Sequence, residues 1–315
     1  MPSSEQIAAG KAIHRQTGRT FYYATRLLPE RVQEATYVLY GFFRIADEVV
    51  DTADPAPPAE QRRRLDEIRA QALGNAEADD PVLAAFNDLR EEHGIRDEDV
   101  DLFIAAMAQD IETARYETYE ALESYMRGSA VSVANMMTAV MDPDDPETAL
   151  PHAAALGEAF QLTNFLRDVR EDIVDRDRIY LPLSTLREHG VTEEQIENLE
   201  MSRGFAAAMQ SELARTEEKY REGVAGIKYL PRDCQFPVLL AAVLYADHHR
   251  LIRKVGYDTL NNEPSLTFPR KAYLVARTYW RWMRSGGDPE AVFHRVSGIA
   301  PPGSAHRPGA EPTPR

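Results

Sequence analysis

Cysteine is almost absent from this chain: among 315 residues there is one, Cys234. A single thiol excludes a disulfide framework or a cysteine-based zinc cluster within one chain, so we expect Cys234 to be a small buried residue. Long hydrophobic runs are absent too. The longest, VLLAAVL at 238–244, is far shorter than the ~20 residues that span a bilayer. Because MPSSEQIAAGK at the start lacks the basic and apolar segments of a secretory signal, we expect a soluble, cytoplasmic protein.

Positive charge is also scarce. The chain has 36 basic and 51 acidic residues, a net charge of -15, and only five of the basic residues are lysines. Phosphate backbones require a cationic surface, so nucleic acid is excluded as a partner. An anionic ligand would need a metal ion or a local cluster of arginines. An acidic, lysine-poor surface would suit a salt-rich cytoplasm, and a GC-rich genome explains the arginine bias equally well.

Helical periodicity dominates the sequence. Val38, Phe42, Ile45 and Val49 recur at the spacing of an amphipathic helix, which ends before the prolines at 55, 57 and 58. No strand, hairpin or internal repeat is evident. Further helices are predicted at 59–73, 81–92, 97–115, 119–140, 147–175, 203–228, 234–255 and 268–285. The sequence thus predicts an all-α, single-domain helical bundle around a central cavity, spanning 1–288, with 289–315 as a disordered tail.

Two aspartates lie four residues apart near the end of the first predicted helix. Asp47 and Asp51 differ by only about 40° in direction around a helix, so both carboxylates face the same way. Like charges at this spacing cost a few tenths of a kcal/mol unless a cation joins them, and hard oxygen ligands suit Mg²⁺. A solvated helix face would give the same short pattern, so this pair alone does not define a site.

A second acidic segment repeats this geometry. Asn164, Asp168 and Asp172 lie at i, i+4 and i+8 of another predicted helix, beside an apolar stripe. An EF-hand is excluded because no glycine lies at the turn position. A surface salt-bridge network remains open as an alternative and is favoured for Arg170 and Glu171.

Two such helices facing one another across a cavity could hold Mg²⁺ ions on a diphosphate. Arg44 and Arg167 would then donate charge-assisted hydrogen bonds to phosphate oxygens. This arrangement permits ionisation of an allylic diphosphate, with the carbocation protected from water by an apolar, aromatic chamber.

Three segments resemble the squalene/phytoene synthase family and extend over most of 15–275. They are GRTFYYATRLLP at 18–29, YVLYGFFR at 37–44 leading into DEVVD at 47–51, and NFLRDVREDIVDRDRIYLP at 164–182. The resemblance implies the isoprenoid synthase fold and head-to-head joining of two prenyl diphosphates. Two geranylgeranyl diphosphates would give a cyclopropylcarbinyl diphosphate and then phytoene, in carotenoid biosynthesis.

The resemblance also implies roles for particular residues. Mg²⁺, or Mn²⁺ in its place, and the diphosphates would be held by Asp47, Asp51, Asn164, Asp168 and Asp172. Phosphate binding would be assisted by Thr20, Arg44, Arg167 and Arg178, and the chamber would be lined by Tyr125, Gln161, Tyr180 and Tyr245. Transient contact with a membrane surface fits the insoluble product and needs no anchor.

Three alternatives remain open at this point. A squalene or dehydrosqualene synthase would use farnesyl diphosphate, and squalene formation would need NADPH. Head-to-tail elongases and terpene cyclases also carry aspartate-rich helices. Some relatives are non-catalytic scaffold proteins, although these are expected to have lost their aspartates.

Two further features of the sequence predict the shape of the pocket and the environment of two histidines. The family usually has glycine where Val131 and Ala134 stand, which bears on the shape of the pocket and on chain length. The adjacent His248 and His249 diverge by about 100° on a helix and cannot share a metal as an i, i+4 pair does, so we expect them to be solvated.

Overall fold

Helices form nearly all of the regular structure in the computed structural model, which describes residues 24–52 and 56–303. No β-strand occurs in these two ranges, where one isolated bridge joins Arg115 to Ile179. The α-helices are α1 (Glu30–Val50), α2 (Pro58–Ala72), α3 (Pro81–His93), α4 (Asp97–Gln109), α5 (Tyr119–Met126), α6 (Ser132–Met141), α7 (Pro146–Arg167), α8 (Val169–Arg176), α9 (Leu183–Glu188), α10 (Glu193–Glu197), α11 (Arg203–Val224), α12 (Arg232–Lys254), α13 (Phe268–Arg284) and α14 (Pro289–Ser297). The predicted all-α, single-domain fold is confirmed.

Local sequence explains most helix ends. Prolines begin α2, α3, α7 and α14, where their missing N–H has no partner to lose. Asp80 and Asp145 cap α3 and α7 by accepting hydrogen bonds from backbone N–H groups of the first turn. The helix predicted at 119–140 contains a π-helical turn at Arg127–Val131 between α5 and α6. The helix predicted at 147–175 is broken at Asp168, and the short α9 and α10 were not predicted.

The predicted boundary at residue 288 is wrong, because α14 follows it directly. Asp288 caps this helix, and Val292, Phe293 and Val296 are buried in a cluster with residues of α12 and α13. The glycines at 286 and 287 suggested a tail, but the apolar spacing after them is that of a short amphipathic helix. Residues 304–315 of the predicted tail lie outside the described residues.

Close helix packing fixes the scaffold around the cavity. A Cβ built on Gly223 of α11 would lie 2.7 Å from the backbone nitrogen of Leu156 in α7. A Cβ built on Gly128, in the π turn, would overlap the backbone carbonyl oxygen of Leu102 in α4. Because only glycine permits these approaches, α7 and the π turn are held tightly against their neighbours.

The expected solvation of His248 and His249 is wrong, whereas the expected burial of Cys234 is confirmed. Both histidines are buried, and the Nε2 of His249 lies 3.1 Å from the Thr163 hydroxyl, which lies 2.9 Å from the Tyr220 hydroxyl. Burial lowers the pKa of His248 to about 4. This pair is therefore part of the polar interior between α7, α11 and α12.

Candidate active site

One cavity of about 600 Å³ lies between α1, the α5–α6 segment, α7 and α12. Its lining includes twelve of the thirteen predicted site residues: Arg44, Asp47, Asp51, Tyr125, Gln161, Asn164, Arg167, Asp168, Asp172, Arg178, Tyr180 and Tyr245. The thirteenth, Thr20, lies outside the described residues. The fold thus brings residues from distant parts of the chain to a single chamber, while their individual roles remain predictions.

Two helices supply the long walls of the chamber. Along α1 the lining runs from Thr36 to Asp47, about 16 Å at 1.5 Å per residue, and along α7 it runs from Ala153 to Arg167, about 21 Å. Both stripes are mainly apolar at first and end in the acidic motif. The chamber is therefore a deep apolar pocket whose mouth is charged.

The mouth forms where three helices stop. Asp51, Asp110 and Asp168 are the residues that directly follow α1, α4 and α7. The column of Asn164, Asp168 and Asp172 was predicted on one continuous helix, and the break at Asp168 corrects this. The backbone N–H of Asp172 still donates to the carbonyl of Asp168 at 2.8 Å, so the spacing of the column survives the break.

Each of the four aspartates among the five predicted metal ligands has an arginine partner. Arg44 bonds Asp47, and Arg167 bonds Asp168. Arg176, which was not predicted, lies 3.0 Å from Asp51 and 3.3 Å from Asp172, so it joins the two motifs directly. Arg178 also reaches Asp51, at 3.3 Å. All four arginines line the cavity, and their guanidinium groups are donors of the kind that binds phosphate.

Burial and a neighbouring carboxylate raise the pKa of one aspartate in each motif. Burial and then the charge of Asp51 raise the pKa of Asp47, although nearby arginines oppose this. Burial and then the charge of Asp168 raise the pKa of Asp172 to about 7. A bound cation would relieve the repulsion within each pair.

The donor chemistry fits Mg²⁺. Among the described residues no group of three or more His, Cys, Asp or Glu side chains is arranged to hold a metal ion by itself. Mg²⁺ is commonly held by one or two carboxylates, with waters and substrate phosphate oxygens completing its octahedron. Two pairs of carboxylates facing one mouth match that mode, in which the protein ligand set is incomplete without the substrate.

Aromatic rings form the wall beside the mouth. Phe165 and Tyr180 stack with centroids 4.0 Å apart, and Tyr125 lies 6.0 Å from Tyr180. Tyr116 packs behind both tyrosines and is buried. Stacked faces of this kind present negative π-density to a carbocation.

Asp110 is a lining residue that the sequence did not reveal. The hydroxyl of Tyr125 donates to its Oδ2 at 2.9 Å, and its Oδ1 is buried without a hydrogen-bond partner. Burial raises the pKa of Asp110 to about 7, even though Arg178 lies nearby. Asp110 lies alone inside a predicted helix and belongs to no recognisable motif. The one sequence signal that could have indicated it is that the apolar stripe of this helix ends at Gln109.

Of the two positions where the family resemblance predicts glycine, only that of Ala134 lines the chamber; Val131 is not among the lining residues. Ala134 lines the chamber and faces Gly157 of α7, where a built Cβ would lie 3.0 Å from the Ala134 Cβ. The glycine needed for this close contact is therefore on the opposite helix. In the π turn, the lining residue Ser129 has a buried hydroxyl without a hydrogen-bond partner. π turns are frequent at functional sites.

Known proteins resemble this chain in sequence. Residues 14–274 match the family described as squalene/phytoene synthase. The 15-cis-phytoene synthase of Synechocystis sp. is 30% identical over 277 residues, covering 84% of this chain and 82% of that protein. The 15-cis-phytoene synthase of Synechococcus elongatus is 30% identical over 88% of this chain and 90% of that protein.

Solved structures resemble it in fold. A dehydrosqualene synthase in complex with a ligand superposes with a TM-score of 0.80 at 26% identity, covering 89% of this chain and 97% of that chain. A squalene synthase from Alicyclobacillus acidocaldarius gives a TM-score of 0.73 at 22% identity, covering 80% and 95%. The second likeness concerns the fold alone.

Proposed function

The chain belongs to the squalene/phytoene synthase family and is a prenyltransferase, and from that premise we propose that it joins two geranylgeranyl diphosphates head to head to give phytoene, in carotenoid biosynthesis. One observation carries the proposal: two aspartate motifs with four arginines stand at the mouth of a deep apolar chamber. The relatives named as phytoene synthases support the twenty-carbon substrate.

The mouth would bind the diphosphates. Mg²⁺, when bound, neutralises charge that develops on the leaving diphosphate. Asp47, Asp51, Asp168 and Asp172 would hold the ions, with Mn²⁺ as a substitute. Arg44 and Arg178 would donate hydrogen bonds to phosphate oxygens, and Asn164 would add an amide oxygen or N–H group.

The chamber would guide the two carbon chains. In the first half-reaction, the allylic C–O bond of one substrate breaks and its C1 bonds to the double bond of the other. One diphosphate and one proton leave, and a cyclopropylcarbinyl diphosphate remains. In the second, the remaining C–O bond breaks, the ring rearranges, and loss of a second proton gives phytoene. Tyr125, Phe165 and Tyr180 would stabilise the cations through their π-faces, and the apolar walls exclude water that would quench them.

A farnesyl-using enzyme is the second candidate. The superposition with a dehydrosqualene synthase favours it, since that structure covers 89% of the chain. In that case the same mouth would act on fifteen-carbon chains, with NADPH required for squalene alone.

The test is a product analysis. Purified protein is incubated with Mg²⁺ and either geranylgeranyl or farnesyl diphosphate, with and without NADPH and with and without isopentenyl diphosphate, and the extracted lipids are analysed by mass. Phytoene from the twenty-carbon substrate without NADPH is the expected result. Squalene or dehydrosqualene from farnesyl diphosphate would show that the substrate has fifteen carbons and that the reaction is still head-to-head joining. Products formed only with isopentenyl diphosphate would indicate a head-to-tail elongase.

Matched variants connect the activity to the mouth. Asp172→Asn removes a buried lining carboxylate, whereas Asp175→Asn removes an exposed one on the same helix, α8. We expect turnover to fall by roughly 10²–10³-fold in the first and to stay unchanged in the second. Wild-type protein without turnover on any of these substrates would favour a non-catalytic scaffold.

A further inference from the structure

Helix α13 exposes an unusual amount of apolar surface. Ten large apolar side chains are exposed in the described residues, and five of them are on this one helix. They are Phe268 at 74%, Met283 at 65%, Tyr279 at 55%, and Trp280 and Tyr273 at 49% each. Contiguous exposed apolar surface of this kind marks an interaction site.

These side chains lie on one face of the helix. At 100° per residue, an arc of about 140° contains no charged side chain. It is made of Phe268, Tyr279, Ala272, Met283, Ala276, Pro269, Trp280 and Tyr273. Leu274 and Thr278, on another face, are buried against the body of the protein. The helix is therefore apolar on two sides, of which the packing uses one.

Basic residues border the exposed face. The helix carries Arg270, Lys271, Arg277, Arg281 and Arg284 and no acidic residue, in a chain whose net charge is -15. The guanidinium groups of Arg281 and Arg284 lie 4.9 and 4.5 Å from the Trp280 ring. Arg277 donates to the Tyr273 hydroxyl at 3.1 Å. Amphipathic aromatic rings flanked by arginines are the residues that settle at the boundary between headgroups and acyl chains.

The face sits behind the chamber wall. The Tyr279 ring meets Phe236 of α12 edge-on at 5.8 Å, and Arg270 forms an ion pair with Asp247 of α12. Val238, Ala241 and Tyr245 of the same helix α12 line the chamber. One helix thus separates the exposed face from the apolar pocket.

We propose that the exposed face of α13 docks the protein on the surface of an anionic lipid bilayer. The charge pattern selects this occupant: a second copy of a chain with net charge -15 would be repelled over most of its surface, whereas anionic headgroups attract the local basic border. Each basic side chain near such a surface strengthens binding about fivefold, and the apolar arc adds burial at the acyl boundary.

The test is co-sedimentation of the full chain with vesicles. Phosphatidylcholine vesicles are compared with vesicles that also contain phosphatidylglycerol, at low and high salt. We expect binding to the anionic vesicles, weakened by salt. Arg281→Gln/Arg284→Gln should weaken it by about 25-fold, and Phe268→Ser/Met283→Ser, which changes the two most exposed apolar side chains, should weaken it by at least tenfold. The exposed Val174→Ser on α8 and Arg64→Gln on α2 are the controls and should bind as wild type does.

Three results would overturn the proposal. The first is equal or absent binding to both kinds of vesicle, and the second is anionic binding that the α13 variants leave unchanged. The third is sedimentation equilibrium showing a dimer that the α13 variants dissociate, without vesicle binding by the wild type. In that case a second copy of the chain covers this face.

Discussion

Replacing Arg178 tests whether this side chain acts in the reaction or only stabilises the fold. Its side chain is 11% exposed, and its guanidinium donates to the backbone carbonyl of Asp110 at 3.0 Å and reaches Asp51 at 3.3 Å. In Arg178→Ala, Asp51 keeps its ion pair with Arg176, so the arrangement of side chains at the mouth should be retained. The variant would lose the hydrogen bond that we propose the guanidinium donates to the leaving diphosphate.

The expected size of the effect follows from that geometry. Removing one donor that stabilises charge developing in the transition state costs about 2.7–4 kcal/mol, so kcat/KM for Arg178→Ala should fall by roughly 10²–10³-fold. Arg178→Lys keeps the positive charge, so its kcat/KM should fall less than that of Arg178→Ala. Some activity should still be lost, because an ammonium group lacks the forked donors that bind two partners at once. Diphosphate release measured at several substrate concentrations gives kcat/KM, and thermal unfolding of the same samples gives stability.

Arg115 provides the matched control. It holds the same loop by bonding Asp177 and Glu197, yet it does not line the chamber. Arg115→Ala should lower the melting temperature and leave kcat/KM within about threefold of wild type. The reasoning is refuted if Arg178→Ala retains wild-type kcat/KM while folded, or if both arginine variants lose activity in proportion to their lost stability.

Three further predictions concern stability and are measured by urea unfolding. Asp247→Ala should cost about 2–3 kcal/mol, less than a fully buried pair, because its partners Arg250 and Arg270 are 43% and 28% exposed. Burial alone would raise the pKa of Asp247, but hydrogen bonds from these arginines hold it below the ordinary value, so this contribution is present above about pH 4 and is lost as pH falls further. A variant whose stability difference from wild type does not shrink in acid would contradict this. Gly223→Ala should destabilise, since overpacking against Leu156 at ~1–3 kcal/mol outweighs a gain of ~1 kcal/mol in helix propensity; a stabilised variant would mean that α7 and α11 can separate. Tyr125→Phe should cost about 1–3 kcal/mol by leaving the buried carboxyl of Asp110 without its remaining side-chain donor, and an unchanged midpoint would show that the carboxyl is hydrated.

The sequence predicted those site residues whose positions follow from helical spacing. Asp47 and Asp51 needed only the i, i+4 rule and an apolar stripe beside them. The same rule placed Asn164 and Asp172 on one side of their segment, even though the helix breaks between them.

Residues placed by tertiary contacts could not be predicted in this way. The pairing of Arg176 with Asp172 follows the i, i+4 rule on α8, but its contact with Asp51 joins segments 125 residues apart, which no local pattern reveals. Asp110 reaches the mouth from the end of an unrelated helix. His249 is buried because α7 and α11 offer it Thr163 and Glu217, partners that are distant in sequence.

The convergence of three helix ends at the mouth has a consequence for the order of binding. Each helix C-terminus carries about half a negative charge from its aligned peptide dipoles, and here each is followed by an aspartate, at positions 51, 110 and 168. This backbone field is present before any ligand arrives, and it opposes a bare diphosphate because the four arginines of the mouth are already paired with aspartates. We therefore expect divalent ions to bind before the diphosphate, or to arrive already bound to it. The helix ends would then make diphosphate binding depend on the cation.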